Sequence, residues 1–169
     1  MNKIFLAIVT SILFSYSCAN KSKEPKMKVQ INIVKKLDSD KFKRQKGTFY
    51  SANINLINNT DSVIHFWIMS CSWQDNWIFN YDNIRLYNDG CDKNIPKFMS
   101  MERGKTLNFN GIVQILDAFT IINQKDLLLG FVIIKEHEIL GVTDFRSILI
   151  DKINTRQDIV WSETIKIKK

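Results

Sequence analysis

The chain has 169 residues, and its 24 lysines and arginines outnumber its 17 aspartates and glutamates, which gives a formal net charge of +7. Such a balance is typical of proteins that bind nucleic acid, but only 5 of the basic residues are arginine, the side chain that best reads phosphates and base edges. The chain also has 19 Lys, 25 Ile and 16 Asn, all with AT-rich codons, so genome composition explains much of the charge and we predict no nucleic-acid partner.

The first seventeen residues have the plan of a secretory signal peptide. A short positive start at Asn2-Lys3 precedes a largely apolar run over residues 4–14. Ser15 and Ser17 then stand at positions −3 and −1 of a cut before Cys18, which an ordinary signal peptidase accepts. The apolar run is too short to span a bilayer core, which needs about 20 apolar residues. We therefore predict that residues 1–17 are a signal peptide and that the protein leaves the cytoplasm.

A cysteine directly after the predicted cut gives the same segment a second interpretation. Cys18, preceded by Ser15-Tyr16-Ser17, resembles a relaxed form of the bacterial lipoprotein signal, whose usual pattern has leucine at −3 and a small residue at −2. The resemblance implies that Cys18 receives diacylglycerol and a further acyl chain such as palmitate. It also implies a lipid-anchored protein of the cell envelope, at the outer membrane of a Gram-negative bacterium. Residues 18–26 would then be the lipidated cysteine and a flexible tether, and residues 27–169 a single domain.

The cysteine count agrees with lipidation. The chain has three cysteines, and an odd thiol in an exported protein needs an explanation. If Cys18 carries lipid, Cys71 and Cys91 remain as a pair that can form a disulfide in an oxidising compartment. Such a bridge would stabilise the domain by about 3 kcal/mol on the loop-entropy model. Two buried free thiols are the alternative.

The domain contains about eight segments with the pattern of β-strands. Residues 27–33 and 50–56 alternate apolar and polar side chains, which indicates strands with one buried face. Residues 63–69 and 127–134 are apolar on both faces, as central strands are. Shorter segments complete the set: residues 77–79, 84–87, 106–109 and 159–167.

Two further segments allow more than one interpretation. Residues 112–119 have apolar side chains at helical spacing, although a curved strand also fits them. Residues 144–153 fit a short helix capped by Asp144, although Ile148 and Ile150 would also alternate in a strand. We favour the helix for the second segment.

These elements together predict an all-β fold, an antiparallel β-sandwich of about eight strands with one short helix near 144–153. The layout resembles an immunoglobulin domain in architecture only. In that family a tryptophan follows the first cysteine by more than a dozen residues, whereas Trp73 follows Cys71 by two.

A search for catalytic or metal-binding motifs finds none. His65 lies inside a predicted strand, where a packed or face-lining role is favoured. His137-Glu138 matches only the start of the zinc motif H-E-x-x-H, because Gly141 stands where the second histidine would be. The sequence also has no nucleophile elbow, phosphate-binding loop or dinucleotide fingerprint. We therefore predict no catalytic residues, no metal site and no cofactor.

The segment that follows Cys71 is the candidate binding site. Trp73 and Trp77 flank Asp75 and two amide side chains, a combination that suits binding of a sugar or a partner protein. The alternative, which we favour, is that both tryptophans fold inward and cap the sandwich beside the disulfide.

The sequence thus predicts an envelope-anchored lipoprotein that acts as a non-catalytic binding or scaffold module. Its partners would be the membrane, through the lipid on Cys18, and an envelope protein or a glycan. The alternative function is a periplasmic inhibitor or immunity-type protein that blocks a toxin or a hydrolase. An enzyme is the third choice, for want of a catalytic constellation.

Overall fold

The computed structural model describes residues 27–42, 45–116, 126–139 and 144–166. The predicted signal peptide, Cys18 and the tether lie outside these residues. In the described ranges the chain forms ten strands and one α-helix: β1 Met27–Lys36, β2 Thr48–Asn58, β3 Ile64–Met69, β4 Trp77–Phe79, β5 Ile84–Leu86, β6 Pro96–Met101, β7 Thr106–Ile115, β8 Leu129–Val132, β9 Ile134–Lys135, α1 Asp144–Thr155 and β10 Ile159–Trp161.

The strands pack as an antiparallel sandwich. One layer is a four-stranded sheet in the order β1-β2-β7-β5. The other layer consists of two three-stranded sheets, β10-β8-β4 and β6-β3-β9, and only Ile133 separates β8 from β9 along the chain. The predicted all-β, sandwich-like fold with one helix is confirmed.

The main core lies between the two layers and follows from the alternation of the longest strands. In β2, Ile54 and Leu56 are fully buried, and the alternating Asn53 and Asn55 face outward. Phe66 on β3 meets Phe131 on β8 edge to face, with ring centroids 5.3 Å apart. Burying side chains of this size contributes about 1.5–3 kcal/mol each.

A second, smaller core explains why residues 127–134 are apolar on both faces. Val132 and Ile134 pack against Phe145 and Leu149 of α1, on the opposite side of the sheet from the main core. The helix therefore covers the outer face of β8 and β9. Asp144, the predicted cap, lies in the first turn of this helix.

The sequence prediction differs from the structure in three places. Residues 106–115 are one long strand, so the strand interpretation holds as far as Ile115, while Phe119 lies outside the described residues. Strand β6 was not predicted at all. The last strand ends at Trp161. After it, the backbone hydrogen bonds to β8 and the chain before it no longer follow a strand ladder: the Ser162 amide donates to the carbonyl of Leu129, and the Ile165 amide donates to the carbonyl of Leu127.

Candidate functional site

The predicted disulfide between Cys71 and Cys91 is present, with the two Cα atoms 6.2 Å apart. It joins the chain that leaves β3 to the loop that leads into β6. Asn94 supports the same junction, because its Oδ1 accepts hydrogen bonds from the backbone amides of Cys71 and Ser72. The amide of Ser70 also donates to the carbonyl of Ile95 at 2.9 Å. The bridge therefore lies at an end of the paired strands β3 and β6 that hydrogen bonds also hold.

The predicted binding segment forms a short 3-10 helix, Trp73–Asn76, directly before β4. Trp77 is only 4% exposed and its ring lies 4.8 Å from that of Phe131. Trp73 is half-buried, and its ring lies 4.8 Å from that of Phe109. Asp75 is exposed and accepts a hydrogen bond from the Ser72 hydroxyl at 2.5 Å. The tryptophans thus pack inward, while Asp75 faces solvent.

A glycine makes room for Trp73. A Cβ added at Gly111 on β7 would lie 3.2 Å from the Trp73 ring, tighter than most real contacts. The absence of a side chain at Gly111 therefore lets the indole lie close to the four-stranded sheet. A larger residue at this position would push the ring outward.

Asn76 ties the segment to both neighbouring strands. Its Nδ2 donates to the carbonyls of Trp67 on β3 and Val132 on β8, at 3.1 and 3.2 Å. Burying an amide is favourable only when such bonds replace those to water. Three other buried atoms of this segment have no partner among the described residues: Gln74 Oε1, Asn76 Oδ1 and Trp77 Nε1.

A group of aromatic side chains lies on the outer surface of the paired strands β3 and β6, next to the disulfide, and we call it the aromatic face: His65, Trp67 and Phe98. Trp67 on β3 is paired with Phe98 on β6, and their rings lie 5.1 Å apart. His65 stacks on Phe98 with the ring planes 4° apart and the centroids separated by 5.5 Å. Phe98 is 36% exposed and His65 is also exposed. Solvent therefore reaches the rings of His65 and Phe98, while half-buried Trp67 also packs against the smaller core.

Hydrogen bonds hold two of these rings in place. His65 Nδ1 lies 3.0 Å from the Ser100 hydroxyl, and Trp67 Nε1 donates to the carbonyl of Glu136 at 3.3 Å. Strand β6, which carries Phe98, is at the edge of its sheet. Pro96 and Lys97 stand on this edge, and such residues limit pairing with other chains.

The sequence analysis missed the aromatic face. The sequence predicts a central strand, apolar on both faces, over residues 63–69, and it does not predict β6. The face exists only because the register of β3 and β6 places Phe98 opposite Trp67. The signal that the sequence offers is Phe98 between Lys97 and Met99, which is weak without the pairing partner.

An ion-pair network centred on the buried Lys152 lies beside this region and links α1 to the chain before and after it. Lys152, 5% exposed, contacts Glu138 Oε1 at 2.8 Å and Asp158 Oδ2 at 2.5 Å. Asp158 also pairs with Lys135 at 2.9 Å. Burial acts to lower the pKa of Lys152, but the hydrogen bonds to Asp158 and Glu138 outweigh it and raise that pKa. The hydrogen bond from Lys152 is the main cause that lowers the pKa of Asp158, against partial burial.

The remaining predicted features are placed as follows. His137 lies exposed in a 3-10 helix, Glu136–Glu138. In the described ranges no three His, Cys, Asp or Glu side chains come together as a metal site would require. No helix within the described chain is both long and apolar enough to cross a membrane. Cys18 lies outside these ranges, so lipidation stays a prediction.

Comparison with known proteins gives little further information. No family model matches the chain, and no curated protein matches it. Among solved structures it is similar to a FixG-related protein from Vibrio parahaemolyticus, with 10% identity and a TM-score of 0.37 over 86% of this chain and 99% of that chain. A likeness of this size carries no argument about function.

Proposed function

We propose that this protein is an envelope-anchored lipoprotein whose β-sandwich is a non-catalytic binding module for a partner protein. The observation that carries the proposal is the exposed aromatic face on the paired strands β3 and β6, next to the disulfide. The relaxed lipoprotein signal at Cys18 supports anchoring to the outer membrane of a Gram-negative bacterium. The partner is therefore expected to be another envelope protein.

The aromatic face has the composition of a protein-binding hot spot. Aromatic side chains such as Trp67 and Phe98 bury a large area on binding and lose little conformational entropy. The face also has polar edges, since His65 and Ser100 sit beside the rings. A partner that covers Phe98 would bury the more exposed of the two larger rings, since Phe98 is 36% exposed and Trp67 is half-buried.

The paired strands β3 and β6 are also held in place before any partner binds. The disulfide closes one end, and Asn76 bonds the adjoining segment to β3 and β8. Rigid surfaces bind more tightly because less ordering entropy is lost on association. This pre-organisation therefore supports binding through the surface of β3 and β6.

A second candidate function, an inhibitor that blocks a toxin or hydrolase, is favoured by one observation. Ile95 is 60% exposed, four residues after the bridged Cys91 and directly before β6. An exposed apolar side chain close to a disulfide is suited to filling a pocket in another protein. In that case Ile95→Ser would abolish binding of the target, whereas His65→Ser would change the affinity little.

The test is a comparison of partners captured in the native envelope. The full-length protein, a His65→Ser/Phe98→Ser variant and a Val34→Ser control are crosslinked in cells and their partners identified by mass spectrometry. Val34 is a matched control because it is also an exposed apolar residue, 52% accessible, but lies on β1 in the other layer. We expect one partner to be lost at least tenfold from the double variant only. Equal capture by all three proteins, with equal melting temperatures, would contradict the proposal.

A further inference from the structure

The outer face of the four-stranded sheet carries two parallel rows of amide side chains. The rows cross β1, β2 and β7, and in each of them every residue is paired directly with its neighbour. We call these six residues the amide grid: Gln30, Asn55 and Asn108 in one row, and Asn32, Asn53 and Asn110 in the next.

The amide grid is accessible and regular. All of its residues are exposed except Asn55, which is half-buried. Residues directly opposite each other in a sheet have Cβ atoms about 4.5–5.5 Å apart, and successive outward residues on one strand are about 6.5–7 Å apart. A cleft of about 640 Å³ lies along the grid, and its walls include Asn53, Asn108 and, from the chain after β10, Glu163. Half-buried Ile57 and Ile112 flank the rows on β2 and β7.

Neither strand propensity nor codon usage accounts for this concentration of amides. Asparagine is depleted in strands, yet five of the six positions are asparagine. An AT-rich genome favours lysine as much as asparagine, and the chain has 19 Lys, but none lies in the grid. The neighbouring Lys28 is paired with Glu163 at 2.9 Å. Residues that break a local rule without a structural gain mark functional positions.

We propose that the amide grid binds a neutral glycan chain. Each amide offers two N–H donors and a carbonyl acceptor, while each sugar hydroxyl both donates and accepts, so neighbouring amides can satisfy successive hydroxyl groups. An anionic ligand would find no positive charge in the grid, and an apolar one would leave the amides unpaired. The flanking isoleucines offer apolar contact for the C–H faces of the sugar rings.

The grid lies in the other layer of the sandwich from the aromatic face. Glycan binding is thus independent of the partner protein proposed above, and either proposal can fail without the other. A second copy of this chain is the other occupant that a flat amide surface could take, through stacked side-chain amides. The test has to separate a glycan from self-association.

The experiment is electrophoresis of the full-length protein in native gels that contain dextran, xylan or galactomannan. We expect at least one polymer to retard the wild-type protein, and the retarding polymer identifies the source of the glycan. The test variant is Asn53→Thr/Asn108→Thr, which removes two amides from adjacent strands. Threonine has a higher strand propensity than asparagine, so the variant should fold at least as well. Its affinity for the retarding polymer should fall tenfold or more.

The matched control is Asn154→Ala, an exposed asparagine on α1, which should be retarded like the wild type. Absence of retardation by every polymer in the panel would overturn the proposal. Equal retardation of the wild type and the double variant would also overturn it, because binding would then lie elsewhere. A concentration-dependent dimer that the double variant abolishes, without retardation by any glycan, would assign the grid to self-association instead.

Discussion

Lys152 is the side chain whose surroundings differ most from what its chemistry favours. It is 5% exposed, and two carboxylates neutralise it, those of Glu138 and Asp158. Buried ion pairs of this kind add little net stability when intact, but removal of one partner leaves a charge without compensation. The network therefore fixes the position of α1 and the turn after it more than it adds to the free energy of unfolding.

We predict that Lys152→Met destabilises the domain by about 2 kcal/mol. The value lies below the ~3–5 kcal/mol seen for fully buried pairs, because the side chains of Glu138 and Asp158 keep 23% and 31% of their exposure and can be solvated. Urea unfolding measures the change. Lys135→Met is the control, since its side chain is 47% exposed and such pairs contribute roughly 0–1 kcal/mol. Equal effects of the two variants would show that burial of Lys152 is not the cause.

The lowered pKa of Asp158 predicts a pH dependence. The folded-state pKa of Asp158 lies below that of the unfolded chain. The contribution of this carboxylate to the free energy of unfolding is therefore present above about pH 4 and is lost as the pH falls through the folded-state pKa. For Lys152 the raised pKa places the loss at high pH, above about 10. The free energy of unfolding should thus fall more steeply below pH 4 in the wild type than in Asp158→Asn. Asparagine suits this position because Asp158 has φ +50°, a conformation that asparagine tolerates.

Trp77 and Trp73 should differ in how much they stabilise the core. Trp77→Ala removes a ring that is 4% exposed and packed against Phe131, so we expect a loss of about 3–5 kcal/mol in the free energy of unfolding. Trp73 is half-buried, and Trp73→Ala should destabilise the domain by roughly half as much. Thermal melts of both variants give the comparison. A change under about 1 kcal/mol for Trp77 would mean that its ring is held for another purpose.

At the scale of single elements, the disulfide cross-links the chain after β3 to the loop before β6 and so stabilises this strand pair. The bridged cysteines are 20 residues apart in sequence. We predict that reduction of the bridge lowers the free energy of unfolding by about 3 kcal/mol and the melting temperature by roughly 6–12 °C.

The double variant Cys71→Ser/Cys91→Ser, measured without reductant, is the control for this prediction. It should melt at the temperature of the reduced wild type, because both proteins lack the same cross-link. Labelling of both thiols in freshly purified protein, before any reduction, would contradict the prediction.

The strands that could be predicted from the sequence are those whose two faces meet different environments. In β1 and β2 one face is core and the other is solvent, so apolar and polar residues alternate along most of their length. Strand β6 lacks this contrast, because Phe98 is exposed on one face while Met99 is half-buried on the other. An edge strand with apolar residues on both faces gives no period, so it could not be recognised.

Both proposed binding surfaces depend on strand register, which periodicity does not give. Alternation alone shows that Asn32 and Asn53 face outward, but not that they are neighbours. In the same way, the exposed Phe98 becomes part of an aromatic surface only through its pairing with Trp67. The disulfide is different, because the cysteine count, with Cys18 assigned to lipid, predicts the pair without any knowledge of register.

For the molecule as a whole, the lipid anchor is the prediction that decides where the protein works. Wild-type protein should partition into detergent, because two or more acyl chains give stable anchoring. Cys18→Ala should leave the protein soluble or its precursor uncut, and a Lys21→Ala variant should behave like the wild type. Recovery of wild-type protein in the soluble periplasmic fraction, with an unmodified Cys18, would rule the anchor out.

The direction in which the chain enters the sandwich gives the domain a near and a far end. Strand β1 starts at Met27, which is paired with Asn58, and Asn58 Nδ2 donates to the carbonyls of Ser62 and Met101 at the same end. Strand β3 then runs away from this end for six residues, about 20 Å, to the disulfide. A segment from Cys18 to Met27 spans at most about 30 Å when extended. The tether would thus let an anchored molecule reach with the disulfide end of β3 up to about 50 Å from the lipid surface, a height at which it meets molecules that cross the space beyond the membrane.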